Sequence, residues 1–347
     1  MYKYPVAKPV RNDLAKELVI KTIDDGWISS QAPVVSQFEE EWATYNGMKH
    51  GIACSSGTTA LVVALKSLNL EEGAEVIVPN FTMIATAWAV EMAGYTPVFV
   101  DSGHDLNIYV PKIEDAITKK TKAIIPVHIY GRQCDMDAII KIAYEYNLYV
   151  IEDSAEAHGI KPRGDIACYS LFANKIINSG EGGICLTNNK HLMEQMKHLR
   201  GMAFDLDHTF LHKKYGFNFR MNALTAAYAL GEVRKIDEYL EKRQWICREY
   251  DKYLKHLTIP RKISDVLWMY DIVVDNRDEL IEKLKENGIE TRVGFKTMTQ
   301  QPMYRNIMDY SQIGRYYSGK TLYLPTYLDL TADDIKFISK TVLDLIQ

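Results

Sequence analysis

Cysteine is scarce in this chain, five in 347 residues, and none of it stands as C-x-x-C. Cys54, Cys134, Cys168, Cys185 and Cys247 are odd in number and widely spaced, which argues against a disulfide framework and a thiolate zinc site and predicts free thiols in a reducing compartment. Long hydrophobic runs are missing as well. No stretch reaches the roughly 18 apolar residues that cross a bilayer, and the opening M-Y-K-Y-P-V-A-K-P holds no apolar signal core, so the expected location is cytoplasmic. Charge of one sign does not accumulate: the formal net charge is -4 with no long basic run, which leaves nucleic acid without an electrostatic footprint. There is no low-complexity segment and no internal repeat. The G-x-G-x-x-G turn that a nicotinamide site needs is absent after the first strand, where the residues read C-S-S-G-T-T from Cys54.

What is present is a 47% hydrophobic chain, long enough for a large domain and a smaller one. Apolar spacing predicts helices over 11–25, 35–45 and 60–68, the last entered directly from a strand at 50–53. Strands over 75–79, 96–101, 123–128 and 148–152 then alternate with helices over 84–92, 111–117 and 136–146. Uninterrupted apolar strands alternating with helices imply an α/β domain with a mostly parallel sheet. A strand over 184–187, a helix over 191–199 and a long helix from Ala223 to about Leu240 follow. Charge rises from Lys235, which divides the chain into 1–234 and 235–347. The second part carries strands at 267–274 and 289–293, a helix at 277–287, the L-Y-L-P segment from Leu322 and a final amphipathic helix at 331–346.

One stretch carries more chemistry than the others: A-C-Y-S-L-F-A-N-K-I-I-N-S-G-E-G-G-I, from Ala167 to Ile184. Its Lys175 follows an apolar run and precedes a glycine-rich turn, where desolvation by Leu171, Phe172, Ile176 and Ile177 keeps an amine partly deprotonated and nucleophilic. Ligands of parallel α/β sheets collect at the carboxyl ends of strands. Those ends hold Ser56, Gly57 and Thr58, Asn80 to Met83, His128 to Tyr130, Asp153 to His158, and Ser170 to Lys175. A small-residue turn opening a helix at Ser56 suits a phosphate, though S-S-G-T-T is equally a helix cap. Asp153 closes an apolar strand and is either a site carboxylate or an N-cap. An imine-forming lysine, an aspartate for a pyridinium nitrogen and a helix start for a phosphate ester are the three handles of pyridoxal phosphate. His128, His158, His208 and His212 lack companions at ligand spacing, so no metal is expected.

These segments also resemble a family. S-S-G-T-T-A-L from Ser55, V-P-N-F-T from Val78, I-E-D-S-A-E-A-H-G from Ile151, Y-S-L-F-A-N-K-I-I-N-S-G-E-G-G from Tyr169 and Y-G-F-N-F-R-M from Tyr215 resemble the DegT/StrS sugar-nucleotide aminotransferases, in that family's order and over nearly the whole chain. The resemblance implies fold type I: an α/β/α large domain with a mostly parallel mixed sheet, plus a smaller C-terminal α+β domain. It implies that Lys175 is catalytic and binds pyridoxal 5'-phosphate, with Asp153 at the ring nitrogen and Glu156 near the ring hydroxyl. Gly57, Thr58 and Ser170 then take the phosphate, and Asn218 reaches it from the second subunit of a homodimer with shared active sites. Trp27, Ser29, His158, Arg220 and Tyr304 fall on the substrate side, His158 being equally a packed loop histidine.

The likeness is greatest to the perosamine and viosamine synthases, which aminate C4 of nucleotide-linked 4-keto-6-deoxyhexoses. L-glutamate is then the amino donor and 2-oxoglutarate its product. A sister branch with histidine in place of Lys175 removes a hydroxyl instead, and the lysine here excludes it. Met83 occupies the usually aromatic ring-stacking position, Ala32 replaces a common glycine, Thr299 replaces a common histidine, and the loop from Gly159 to Asp165 is short. These departures touch the substrate pocket and tip the expectation toward a dTDP- or UDP-linked gluco sugar and viosamine, with GDP-perosamine as the alternative. The reading from another class is a non-catalytic binder of sugar nucleotide or cofactor; retention of Lys175, Asp153 and the phosphate residues speaks against it.

Overall fold

The computed structural model describes residues 2–204, 210–307 and 311–346. In chain order the first half holds α1 (Asp13–Asp24), α2 (Pro33–Tyr45), β1 (His50–Cys54), α3 (Gly57–Ser67), β2 (Glu75–Pro79), α4 (Ile84–Met92), β3 (Thr96–Val100), β4 (Thr121–Ile124), α5 (Met136–Glu145) and β5 (Tyr149–Asp153). It continues with β6 (Ile166–Ser170), β7 (Gly183–Thr187), α6 (Lys190–Arg200), α7 (Ala223–Val233), α8 (Ile236–Leu254), β8 (Tyr270–Val273), α9 (Arg277–Glu286), β9 (Arg292–Val293), α10 (Ile313–Lys320), β10 (Thr321–Leu324) and α11 (Ala332–Ile346).

The larger sheet runs β1-β7-β6-β5-β4-β2-β3. Pairing is parallel from β6 through β3, and β7 is antiparallel to both β1 and β6, so β1 shares the direction of β6. Alternation along β6 divides the core: Ile166 and Cys168 pack with α3, α4 and α6, while Ala167 and Tyr169 pack with α2 and α7. The sheet thus lies between two helix layers, as the sequence pattern requires, with buried Val35, Phe38 and Trp42 of α2 at helical spacing on one of them. A second sheet, β8-β10-β9, is antiparallel and shares a core with α8, α9 and α11. The N-terminal segment joins it through the Tyr4–Ile289 bridge and the Val6 amide, which donates to Glu290.

Four local expectations are corrected. Residues 111–117 form two single 3-10 turns, Val110–Lys112 and Glu114–Ala116, in place of a helix. The helix expected from Ala223 to Leu240 is broken: α7 ends at Val233 and α8 starts at Ile236, with Lys235 at φ -110°, ψ 4° between them. Apolar spacing runs across this break because Val233 and Ile236 are both buried in the same cluster, so periodicity hides the bend. The strand expected at 123–128 runs over 121–124, leaving Val127 to a lone bridge with Asp153, and that at 289–293 shrinks to β9.

Candidate active site

The carboxyl ends of β1, β5 and β6 and the start of β7 meet at one sheet edge. There Ser56 caps α3: its hydroxyl accepts the Thr59 amide at 3.2 Å while the Thr59 hydroxyl accepts the Ser56 amide at 2.9 Å. The amides of Gly57 and Thr58, in the first turn, have no intrahelical acceptor, which is the arrangement in which a helix start can cradle an anion. Two close approaches shape it. A Cβ on Gly57 would lie 2.8 Å from the Ser170 Cβ, and one on Gly183 would lie 2.3 Å from the Ser56 carbonyl oxygen, so both positions demand glycine.

Beside the cradle opens a cavity of about 820 Å³ lined by Gly57, Thr58, Met83, Asp153, Glu156, Ser170 and Lys175, among others. The seven residues expected from the sequence to contact a cofactor from within one chain are therefore together. Asp153 is held by two donors, the Thr86 hydroxyl at 2.8 Å and the Ala155 amide at 3.1 Å. Burial raises its pKa and these bonds oppose the rise. The second of them is the turn bond that a capping aspartate makes, so this carboxylate serves its own turn and the cavity at once.

Lys175 sits in a loop closed by bonds from the Leu171 amide to Gly182 and from the Ser179 amide to Leu171. Its ammonium lies 3.7 Å from Glu156 and 3.9 Å from the centre of the Trp268 ring, whose indole N–H donates to the Asn174 carbonyl at 2.9 Å. Burial lowers the lysine pKa, opposed by Glu156 and then Asp153. Burial also lifts Glu156 to about 7, opposed by Lys175 and by the Tyr130 amide, which donates to the carboxylate at 2.8 Å. Trp268 sits near the start of the C-terminal strand segment and carried no motif in the sequence; only the fold returns it to the lysine.

The expected substrate-side residues are scattered. His158 is buried away from the cavity wall, donating from Nε2 to the Ser170 carbonyl at 3.0 Å and accepting the Ile177 amide at Nδ1, also at 3.0 Å. It thereby clamps both ends of the lysine loop, and burial pushes its pKa down to about 3, so it is neutral there. Tyr304 is buried against Ala87 and Met298 with its hydroxyl donating to Glu91 at 2.9 Å. Tyr130, one of the strand-end residues, is fully buried and closed to any ligand. Trp27 and Ser29 lie in the exposed turn between α1 and α2, and Asn218 and Arg220 flank the cradle through bridges to Gly201 and Cys54, outside the cavity lining of one chain. His128 is occupied by Glu152 at 2.9 Å and by the Cys134 amide at 3.1 Å; His208 lies outside the described residues, and no metal-binding group of histidine, cysteine, aspartate or glutamate occurs among those described.

A buried lysine, an anchored aspartate and a helix start with no room for a Cβ, all lining one cavity, match the chemistry of a phosphorylated pyridine aldehyde and define the class of enzyme that carries pyridoxal phosphate on lysine. The comparisons agree. Residues 10–343 match the DegT/DnrJ/EryC1/StrS aminotransferase family. The chain is 39% identical to GDP-perosamine synthase of Caulobacter vibrioides over 95% of each chain, and 35% identical to that of Escherichia coli O157:H7 over 97% of each. Among solved structures, NtdA of Bacillus subtilis with bound cofactor PMP aligns with a TM-score of 0.90 at 27% identity, covering 99% of this chain and 87% of that one. The chain belongs to the DegT/DnrJ/EryC1/StrS aminotransferase family, and it is a pyridoxal-phosphate-dependent transaminase of fold type I.

Proposed function

We propose that this enzyme moves the amino group of L-glutamate to the C4 ketone of a GDP-linked 4-keto-6-deoxyhexose, giving a perosamine-type sugar nucleotide and 2-oxoglutarate. The observation that carries the transaminase chemistry is the buried Lys175 amine between Glu156 and the Trp268 ring at the wall of the cavity. The choice of sugar is supported by full-length similarity to two GDP-perosamine synthases, which favours the GDP-linked alternative over the viosamine reading expected from Met83 and Thr299.

In this reading Gly57, Thr58 and Ser170 hold the cofactor phosphate, Asp153 the ring nitrogen and Glu156 the ring hydroxyl, while Met83, 51% exposed, covers the ring. When bound, the group would supply an electron sink for the carbon that loses its proton. Lys175 holds and returns that proton at Nζ, because burial keeps its amine accessible in neutral form. Thr86 and the Ala155 amide keep the Asp153 carboxylate aimed while charge moves. Exposed Trp27, Ile28, Trp88 and Met92 support a homodimer, in which Asn218 and Arg220 complete the neighbouring site. No helix among the described residues is long and apolar enough to cross a membrane.

The test is the visible absorbance of purified wild type and Lys175→Ala before and after L-glutamate, then with GDP- and dTDP-linked 4-keto-6-deoxyhexoses. The expected outcome is a yellow band that glutamate bleaches and the GDP-linked sugar restores fastest, with no glutamate response in the variant. Faster recovery with the dTDP-linked sugar would return the viosamine reading; a protein that stays colourless after incubation with the cofactor would overturn the enzyme.

A further inference from the structure

The cavity is short of positive charge. Its lining includes Asp153, Glu156, Glu181 and Glu290, and among the described residues its only basic side chains are Lys175 and Arg292. Lys175 is committed to the proton. Arg292 lines the same cavity from β9, opposite Tyr323 of β10, with its side chain 67% exposed. It is paired with Glu290 at 2.9 Å, and the other oxygen of that carboxylate accepts the Val6 amide at 3.0 Å. A pair with its guanidinium this exposed and its carboxylate partly buried is weakened by solvent on the arginine side, which leaves the guanidinium open to a better-placed anion.

Both substrates of the proposed reaction are anions: glutamate carries two carboxylates and a nucleotide sugar two phosphates. A transaminase takes them in turn through the same cavity, since both must reach the same carbon of the cofactor. We infer that Arg292 is a shared anion receptor, pairing with a carboxylate of the amino donor in one half-reaction and with the diphosphate of the sugar nucleotide in the other, while Glu290 holds it in place between turnovers. A guanidinium matches both oxyanions through its planar fork of donors, and a lysine there would match them less well. The inference rests on the proposed function for the identity of both anions.

The experiment compares wild type, Arg292→Gln, Arg292→Lys and Glu290→Gln. KM and kcat are read for the glutamate half-reaction by absorbance, and dissociation constants for GDP and UDP by calorimetry on the cofactor-free protein. Arg292→Gln is expected to raise the glutamate KM and the Kd of both nucleotides by about tenfold or more, with kcat of the half-reaction changed by less than about threefold. GDP and UDP lose equally, because the guanidinium reads phosphate and not base. Arg292→Lys recovers part of the loss. Glu290→Gln keeps an acceptor for Val6 and removes the competing charge, so it moves the same constants in the opposite direction, which a merely structural role would not produce. Loss of affinity for one substrate alone, or unchanged constants in a folded Arg292→Gln protein, would overturn the shared receptor. If Arg292 behaves as expected and no GDP-linked keto sugar accepts the amine, the proposed acceptor fails and the receptor stands.

Discussion

Lys175 and Glu156 set the site's protonation together. Buried carboxyl and buried amine each resist charging, and each lowers the other's cost. Glu156 binds its proton more tightly in the folded, cofactor-free protein, at about 7 against 4.5 for a free side chain, so its stabilising contribution is complete below pH 4.5 and fades as pH rises through 7. Glu156→Gln is therefore expected to become more stable relative to wild type across that interval, by about 3 kcal/mol, in denaturant titrations of the cofactor-free proteins at stepped pH. A stability difference that does not vary with pH would exclude a buried titrating carboxyl. The same substitution removes the charge that favours the lysine ammonium. Coupling of pyridoxal phosphate to Lys175, followed by absorbance, is expected to reach its plateau at lower pH in the variant. Of these residues the sequence exposed Asp153 as a strand end and Lys175 by its apolar run before a glycine-rich turn, while Glu156 came from the family resemblance. Trp268 and Arg292 were silent, since nothing in their local pattern differs from an ordinary strand.

At the scale of elements, the site depends on how closely β7 passes the start of α3. Gly183 lies against the Ser56 carbonyl and the Gly57 amide, which are backbone atoms that cannot swing aside. Gly183→Ala should push the cradle off its sheet edge, costing about 1–3 kcal/mol of stability and weakening cofactor affinity by about tenfold or more. Denaturation midpoints and cofactor titration measure the two; full affinity with native stability would mean that the strand can shift freely. Elements marked by continuous apolar runs with clear ends were legible, among them β2 and α4 to the residue. The break between α7 and α8 was not, because residues on either side of it bury into one cluster and preserve the helical pattern. His158 illustrates the same limit within a motif: its place in I-E-D-S-A-E-A-H-G was visible, whereas its work as a clamp on Ser170 and Ile177 follows from the path of a loop that its own segment does not contain.

Across the whole molecule, the two sheets are tied through buried charge. Arg132, which follows β4, donates Nη2 to both oxygens of Asp271 in β8 at 2.9 and 3.0 Å, and Arg261 reaches the same carboxylate at 2.6 Å. Asp271→Ala leaves two buried guanidinium groups without their carboxylate, and a loss of about 3–5 kcal/mol in chemical denaturation is expected. A change below about 1 kcal/mol would show that water replaces the carboxylate at little cost. By itself the sequence determined the α/β layering and the absence of disulfide, repeat and membrane-spanning signals, and strand ends, helix starts and the family resemblance together pointed to the seven residues that the fold gathers along one cavity, because such ends are local and lie at one sheet edge. Tertiary structure alone decided that Trp268 faces Lys175, that Arg292 and Glu290 pair in the cavity lining, and that Tyr304, Tyr130 and His158 are buried outside it. Those pairings join residues far apart in the chain, and no periodicity within a segment reports which distant segment will cover it.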